Sequence, residues 1–300
     1  MKQPSLLIKS RAYVALLLLF VLSCTDQTEA PKRPHPGGAA LAMEEWAFVR
    51  SYPDGKIWSR NLAAAHAAQQ VVLNTRGGGL DAHWEAIGPK NIGGRTLCLA
   101  FHPTDPNTMY AGSASGGLWK STTQGVGYAA WEYVPTGHPV LGVPAIAINP
   151  ENPDEMYIGT GEVYNYTAAM PGIADRLTRG SYGIGILKTI DGGATWSPSL
   201  DWSYGEMTGV ADLLINPENP ATVYAATTEG LYRSYNSGAS WEQIKANVMA
   251  ADIEMHPQDT STLLVSFGNY LSPANQKGVY RSQNGGNSFE LLSDGLPTNY

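Results

Sequence analysis

Cysteine is almost missing from this chain: Cys24 and Cys98 are the only two in 300 residues. A scaffold held by several disulfides is therefore excluded, and stability must come from a core of the chain's own. Charge is sparse, at 15% of residues, and its balance is acidic, with a formal net charge of −7. No basic stripe interleaved with aromatics appears, which argues against nucleic acid as a partner. Beyond the N-terminus no run is long and apolar enough to span a bilayer. His35, His66, His83 and His138 show no metal-ligand spacing. Nothing in the sequence implies a metal or a cofactor.

What is plentiful is turn chemistry, with 33 glycines and 20 prolines. Three segments repeat one phrase: Thr189-Ile190-Asp191-Gly192-Gly193-Ala194-Thr195-Trp196, Ser234-Tyr235-Asn236-Ser237-Gly238-Ala239-Ser240-Trp241 and Ser282-Gln283-Asn284-Gly285-Gly286-Asn287-Ser288-Phe289. A weaker copy begins at Ser121, with Thr123, Gly125 and a displaced aromatic, Trp131. The Asp or Asn accepts backbone hydrogen bonds, the glycine takes a positive φ, and the aromatic opens the next strand. Upstream of each copy runs apolar-x-apolar-His/Asn-Pro, at Leu99–Pro103, Ile146–Pro150, Leu214–Pro217 and Ile253–Pro257. Short strands follow each, such as Met109–Gly112 and Gly117–Lys120 in the first unit. Strands and turns at this spacing, without helical periodicity, predict an all-β array of four-stranded blades. His102 and His256 stand where other units have Asn149 and Asn216, so these histidines are expected to bond a turn instead of a metal.

The phrase resembles the Asp-box of the BNR-type β-propellers, over about residues 84–300. Closer likeness is to the sortilin-like BNR-repeat proteins of bacterial envelopes. It is carried by Asn91–Arg95, Tyr110–Ser113, Gly116–Ser121 and Gly159-Thr160-Gly161-Glu162. The resemblance implies a β-propeller used for protein or glycan recognition. Its blades are expected at about 84–135, 136–200, 201–245 and 246–300, an incomplete ring ending at Tyr300. Phe101-His102-Pro103 is also similar to the xyloglucanase-type propellers, a likeness that concerns fold. The Phe/Tyr-Arg-Ile-Pro phrase of sialidases is absent.

At the N-terminus, Lys2, Lys9 and Arg11 precede an apolar stretch from Ala12 to Leu22. It closes in Val21-Leu22-Ser23-Cys24, which resembles a bacterial lipobox. Residues 1–23 are thus expected to be a signal peptide, with Cys24 the lipid-bearing residue and only membrane anchor. An ordinary cleaved signal or an uncleaved anchor are the alternatives. Removing the three basic residues leaves 16 basic against 26 acidic. Such a chain is expected in the cell envelope. About 24–41 reads as a flexible tether and 42–76 as a two-piece helical segment packing against the blades. Trp84–Pro89 reads as an outer strand contributed from the N-terminal side. Cys98 lies in an inner-strand pattern and is expected to serve as a small apolar group.

Two units carry insertions between second and third strands, about 21 and about 8 residues long. Both belong at the blade end opposite the Asp-boxes, where loops on a rigid scaffold collect function. The candidate binding residues there are Glu162, Tyr164, Tyr166, Arg176, Arg179 and Tyr182. Trp202, Tyr204 and Glu206 follow in the next linker, and Asn269 and Tyr270 in the smaller insertion. Aromatics beside carboxylates and arginines stack on sugars or clasp peptides. The leading expectation is a propeller that recognises a protein or glycan without chemistry of its own. The alternative is a polysaccharide-active glycoside hydrolase, for which Glu162, Asp175, Glu206 and Asp212 are the available carboxylates.

Overall fold

The structure, a computed structural model, describes residues 48, 64–71, 94–140, 142–163, 182–203, 208–269, 272 and 275–293. It divides into a unit from Met1 to Ile57, of which Phe48 alone is described, and a unit from Trp58 to Tyr300. The described residues of the second unit form four antiparallel sheets, each meandering through four consecutive strands. Blade 1 is β1 (Thr96–Phe101), β2 (Met109–Ser113), β3 (Leu118–Ser121) and β4 (Glu132–Val134). Blade 2 is β5 (Ala145–Ile148), β6 (Met156–Gly159), β7 (Gly185–Thr189) and β8 (Ser197–Asp201). Blade 3 is β9 (Val210–Ile215), β10 (Val223–Thr227), β11 (Gly230–Ser234) and β12 (Glu242–Ala246). Blade 4 is β13 (Ala250–His256), β14 (Asp259–Phe267), β15 (Gly278–Ser282) and β16 (Glu290–Leu291). The inner strands β1, β5, β9 and β13 neighbour one another in that order. This is the all-β propeller arrangement that the repeat predicts.

Residues 64–71 are helical, but every one except His66 is exposed. The expected packing of this segment on the blades is therefore not seen there. Its run of alanines offers too little apolar surface to hold a face down. The signal, lipobox, tether and Trp84–Pro89 lie outside the described residues.

The Asp-box turns work as the sequence implies. Thr189 Oγ1 donates to Asp191 and accepts from Gly193 N at 3.1 Å. Asp191 then accepts from Thr195 N and Thr195 Oγ1. Asn236 and Asn284 repeat this with Ser240 and Ser288, their amide nitrogens donating to the serine hydroxyls. The weak copy closes too, through Gly125 N on Ser121 Oγ at 2.9 Å, while Thr123 fills the acid's place. Trp196 Nε1 caps its own turn on Gly193 O, whereas Trp241 Nε1 reaches Ser199 of blade 2.

At the start of each blade the His/Asn side chain accepts from the turn that follows. His102 Nδ1 takes Asp105 N, Asn149 Oδ1 takes Glu151 N, Asn216 Oδ1 takes Glu218 N, and His256 Nδ1 takes Gln258 N. An imidazole and an amide oxygen do one job, which accounts for the exchange between units.

Three apolar layers fill the spaces between successive blades. Tyr110 and Leu118 meet Met156, Ile158 and Leu187; Tyr157 and Ile186 meet Leu213 and Ile215; Tyr224 and Leu231 meet Ile253, Leu263 and Phe267. Each such side chain contributes about 1.5–3 kcal/mol by leaving water. Cys98 joins the first layer as expected. Its Sγ donates to Val143 O, and burial pushes the thiol up to about 12.

Candidate functional site: the loop end and the inner strands

Antiparallel order puts the β2–β3, β6–β7, β10–β11 and β14–β15 connections at one end of the blades, opposite the Asp-boxes. At this end an ion pair joins Arg95, entering β1, to Glu162, just after β6. Arg95 Nη2 donates to Glu162 Oε2 at 2.6 Å, and Nη1 meets Oε1. Such a two-pronged contact fixes both groups in one plane. Glu162 is buried, at 4% exposure, whereas the Arg95 side chain is 43% exposed. Arg95 therefore keeps a face toward solvent while its far side is anchored.

Thr160 supports this corner. Its Oγ1 donates to Gly185 O at 2.7 Å and accepts from Ile184 N at 2.8 Å, stitching the two sides of the large insertion together. Gly161, at φ +86°, lies so close to Gly183 that no side chain fits.

The other sequence candidates divide. Trp202 is half-buried, packs against the blade 2–blade 3 layer and makes a T-shaped contact with Tyr232, ring centroids 5.7 Å apart. Asn269 closes its own loop with Ser272, donating its backbone N–H to Ser272 Oγ at 3.0 Å. Tyr182 is half-buried beside Gly183. Tyr164, Tyr166, Arg176, Arg179, Tyr204, Glu206, Tyr270 and Asp175 lie outside the described residues. The structure thus gathers Glu162 with Arg95 and leaves Trp202 and Asn269 in separate contacts. In the sequence Arg95 stands out only as the end of the Asn91–Arg95 stretch; its partner lies 67 residues on, a pairing no local pattern announces.

A second group lies on the inner strands. Asp212 of β9 accepts from its neighbour Leu213 N at 2.8 Å and from Ile253 N of β13 at 3.1 Å. Burial lifts its carboxyl to about 6; the two backbone donors oppose that rise, and the charges of Asp252 and Glu254 add to it. Asp252 and Glu254 are exposed on β13. A carboxyl raised to about 6 thus lies near two further carboxylate side chains, a grouping that acid–base chemistry uses. Among the described residues no cluster of His, Cys, Asp and Glu is arranged to hold a metal.

Comparison with known proteins follows the same lines. The family model described as "Sortilin, neurotensin receptor 3" matches residues 185–299. An oligoxyloglucan-reducing end-specific xyloglucanase of Emericella nidulans is 21% identical, over 65% of this chain and 31% of its own length. A xyloglucanase of a Paenibacillus species is 23% identical over 84% of this chain and 26% of its own. One of Hypocrea jecorina is 24% identical over 59% and 21%. The chain thus spans about a third or less of these relatives. A solved ancestral GH74 enzyme superposes with a TM-score of 0.52 at 20% identity, over 68% of this chain and 26% of that one. The curated relatives overturn the expectation of a propeller without chemistry, because those matched above are named as xyloglucanases. The repeat signature, the four-stranded sheets and this likeness agree on the fold: the described blades are those of a β-propeller with Asp-box turns, similar to the blades of sortilin-type and GH74 proteins.

Proposed function

We propose that this chain acts in the hydrolysis of a β-glucan of the xyloglucan kind, as a glycoside hydrolase or as the blades that supply one. The observation that carries the reading is the set of curated xyloglucanase relatives matched across more than half of the chain. Asp212 supports it chemically. Glycosidic cleavage takes a proton onto the leaving oxygen while the C1–O bond breaks, and a second carboxylate serves the attacking water or the sugar carbon. Asp212, protonated up to about pH 6, is the donor in this scheme, and Asp252 or Glu254 is the second carboxylate. Arg95, anchored by Glu162, presents N–H groups to sugar hydroxyls at the loop end.

The test is release of reducing ends from xyloglucan by the full chain, with unsubstituted β-glucan beside it. Release that falls by at least about 100-fold in Asp212→Asn is expected, in line with the loss of a general acid. Arg95→Lys, which keeps the charge and loses the fork, is expected to raise KM more than it lowers kcat. Absence of any release from xyloglucan would remove the proposal, and undiminished release by Asp212→Asn would remove its chemistry.

A further inference from the structure

The second residue of each Asp-box is exposed: Thr122, Ile190, Tyr235 and Gln283 in blades 1 to 4. Two of the four are large and apolar, Ile190 at 71% and Tyr235 at 57% exposure. The turn itself has no need of an apolar group there, since it closes equally with Thr122 or Gln283 in that place.

Tyr235 is held from beneath. The Arg233 guanidinium lies over its ring, 4.5 Å from the centroid. Arg233 is buried and fixed on three sides. Its Nε donates to Glu242 Oε1 at 2.8 Å, Nη1 donates to Gly285 O, and Nη2 donates to Asn287 Oδ1 at 3.0 Å. In blade 2 the cation at the same register, Lys188, lies over the buried ring of Tyr157 instead, so the clamped exposed ring belongs to blade 3. With one face covered and more than half of the residue exposed, the other face of Tyr235 meets water. A ring held in this way loses little freedom when a ligand settles on it.

The neighbourhood narrows the ligand. Glu242 is paired with Arg233, so its charge is compensated. Asn236 and Ser240 of the same turn and Asn287 of the next are exposed amides and a hydroxyl. A protein interface is built around a contiguous, fully buried apolar core. Tyr235 is instead a single flat ring set among neutral polar groups. A pyranose matches that arrangement, with an apolar C–H face for the ring and hydroxyls at its rim for amides and a carboxylate.

We infer that Tyr235 is a stacking platform for a sugar ring of a neutral β-glucan chain. Ile190, one blade away, is a second apolar contact, and Asn287 and Glu242 bond the sugar hydroxyls. The inference rests on the β-glucan reading above and adds a second polysaccharide site, at the opposite end of the blades from Arg95. This site touches no reacting bond. It keeps the polymer on the protein, and two sites engaging one long chain hold it more tightly than either does alone.

Native electrophoresis of the full chain through gels containing xyloglucan gives the affinity without any turnover. Retardation of the wild type is expected. Tyr235→Ala, with an unchanged circular dichroism spectrum, should bind about 10-fold more weakly, whereas Tyr235→Phe should stay within about twofold of wild type. Ile190→Ser should lose about threefold. Equal retardation of Tyr235→Ala and wild type overturns the inference, as does a Tyr235→Phe chain that binds as poorly as Tyr235→Ala. A wild type that runs unretarded overturns it too, and leaves the ring to a protein contact. The hydrolase reading fails by a different result: a chain retarded through Tyr235 that releases no reducing ends keeps this site and loses the chemistry assigned to Asp212.

Discussion

The two ends of these blades are made in different ways. At the Asp-box end the bonds that shape each turn close within four residues, as between Thr189 and Gly193 or Asn236 and Ser240. At the loop end the bonds are long in sequence: Arg95 to Glu162, Thr160 to Gly185 and Cys98 to Val143. A locally determined turn tolerates substitution one residue at a time. A corner assembled from distant segments has little room to adjust, because each piece is already fixed by its own strand.

Glycine gives the widest contrast between the ends. Gly185 opens β7 at φ +97°, and an added Cβ would fall inside the Leu200 carbonyl oxygen. Strain and backbone overlap together predict a loss of about 3–5 kcal/mol for Gly185→Ala. Gly192 in the Asp-box has φ +69° and only Asp154 Oδ1 nearby, at 3.1 Å. Gln124 and Ser237 already occupy that turn position with φ of 57° and 54°. Gly192→Asn should therefore stay within about 1 kcal/mol of wild type. Urea unfolding of the two variants measures the difference, and equal losses would show that the ends are alike.

The same division explains what the sequence revealed. Asp-boxes, His/Asn-Pro turns and strand order were legible because each signal is spelled out within a few residues. Even the exchange of His102 for Asn149 could be interpreted, since both serve a turn two or three residues on. Arg95 was not recognisable as the partner of Glu162, nor Asp212 as a carboxyl with a displaced pKa. Those depend on which strands the blades bring side by side, and no spacing records it. Trp202 shows the same limit: an aromatic in a linker looks alike in sequence whether it faces a ligand or meets a ring such as Tyr232 across a blade interface.

Asp212 allows a sharper test of where function lies. Its carboxyl titrates near 6 in the folded chain against an ordinary 3.8, because burial disfavours the anion. The folded state thus holds more protons than the unfolded state between those values. Stability is fully present below about pH 4 and declines as pH rises through about 6, by roughly 2–3 kcal/mol. Asp212→Asn removes the anion but turns one N–H toward a backbone donor, leaving a net gain of about 1–2 kcal/mol at pH 7. The gain should vanish by pH 4. A variant stabilised at pH 7 yet stripped of activity would mark Asp212 as kept for chemistry at the expense of stability.

Smaller effects are expected at the Asp-box end. Ser234 is buried, and its Oγ accepts from Gly238 N and Asn236 N. Ser234→Ala leaves both amides short of a partner and should cost about 1–3 kcal/mol by urea unfolding. Ser234→Thr keeps the hydroxyl, as Thr189 does in blade 2, and should restore most of the loss.

The last contrast is within the turn itself, between Asp191 and its counterparts Asn236 and Asn284. Donation by Thr195 Oγ1, Thr189 Oγ1 and Thr195 N lowers the Asp191 carboxyl to about 2, from an ordinary 3.8. A depressed acid contributes stability above its unfolded value and loses it as pH falls through the folded one. The blade 2 turn should therefore weaken between about pH 4 and pH 2, while the asparagine turns of blades 3 and 4 stay indifferent. Full exposure of the carboxylate keeps the effect small. Comparing urea midpoints of wild type and Asp191→Asn from pH 5 down to 2 isolates it, because Asn keeps the acceptor toward Thr195 N that Asn236 keeps toward Ser240 N. The two curves should converge as acid is added. A constant separation across that range would mean that the charge on Asp191 adds nothing to a turn its neighbours build from amides.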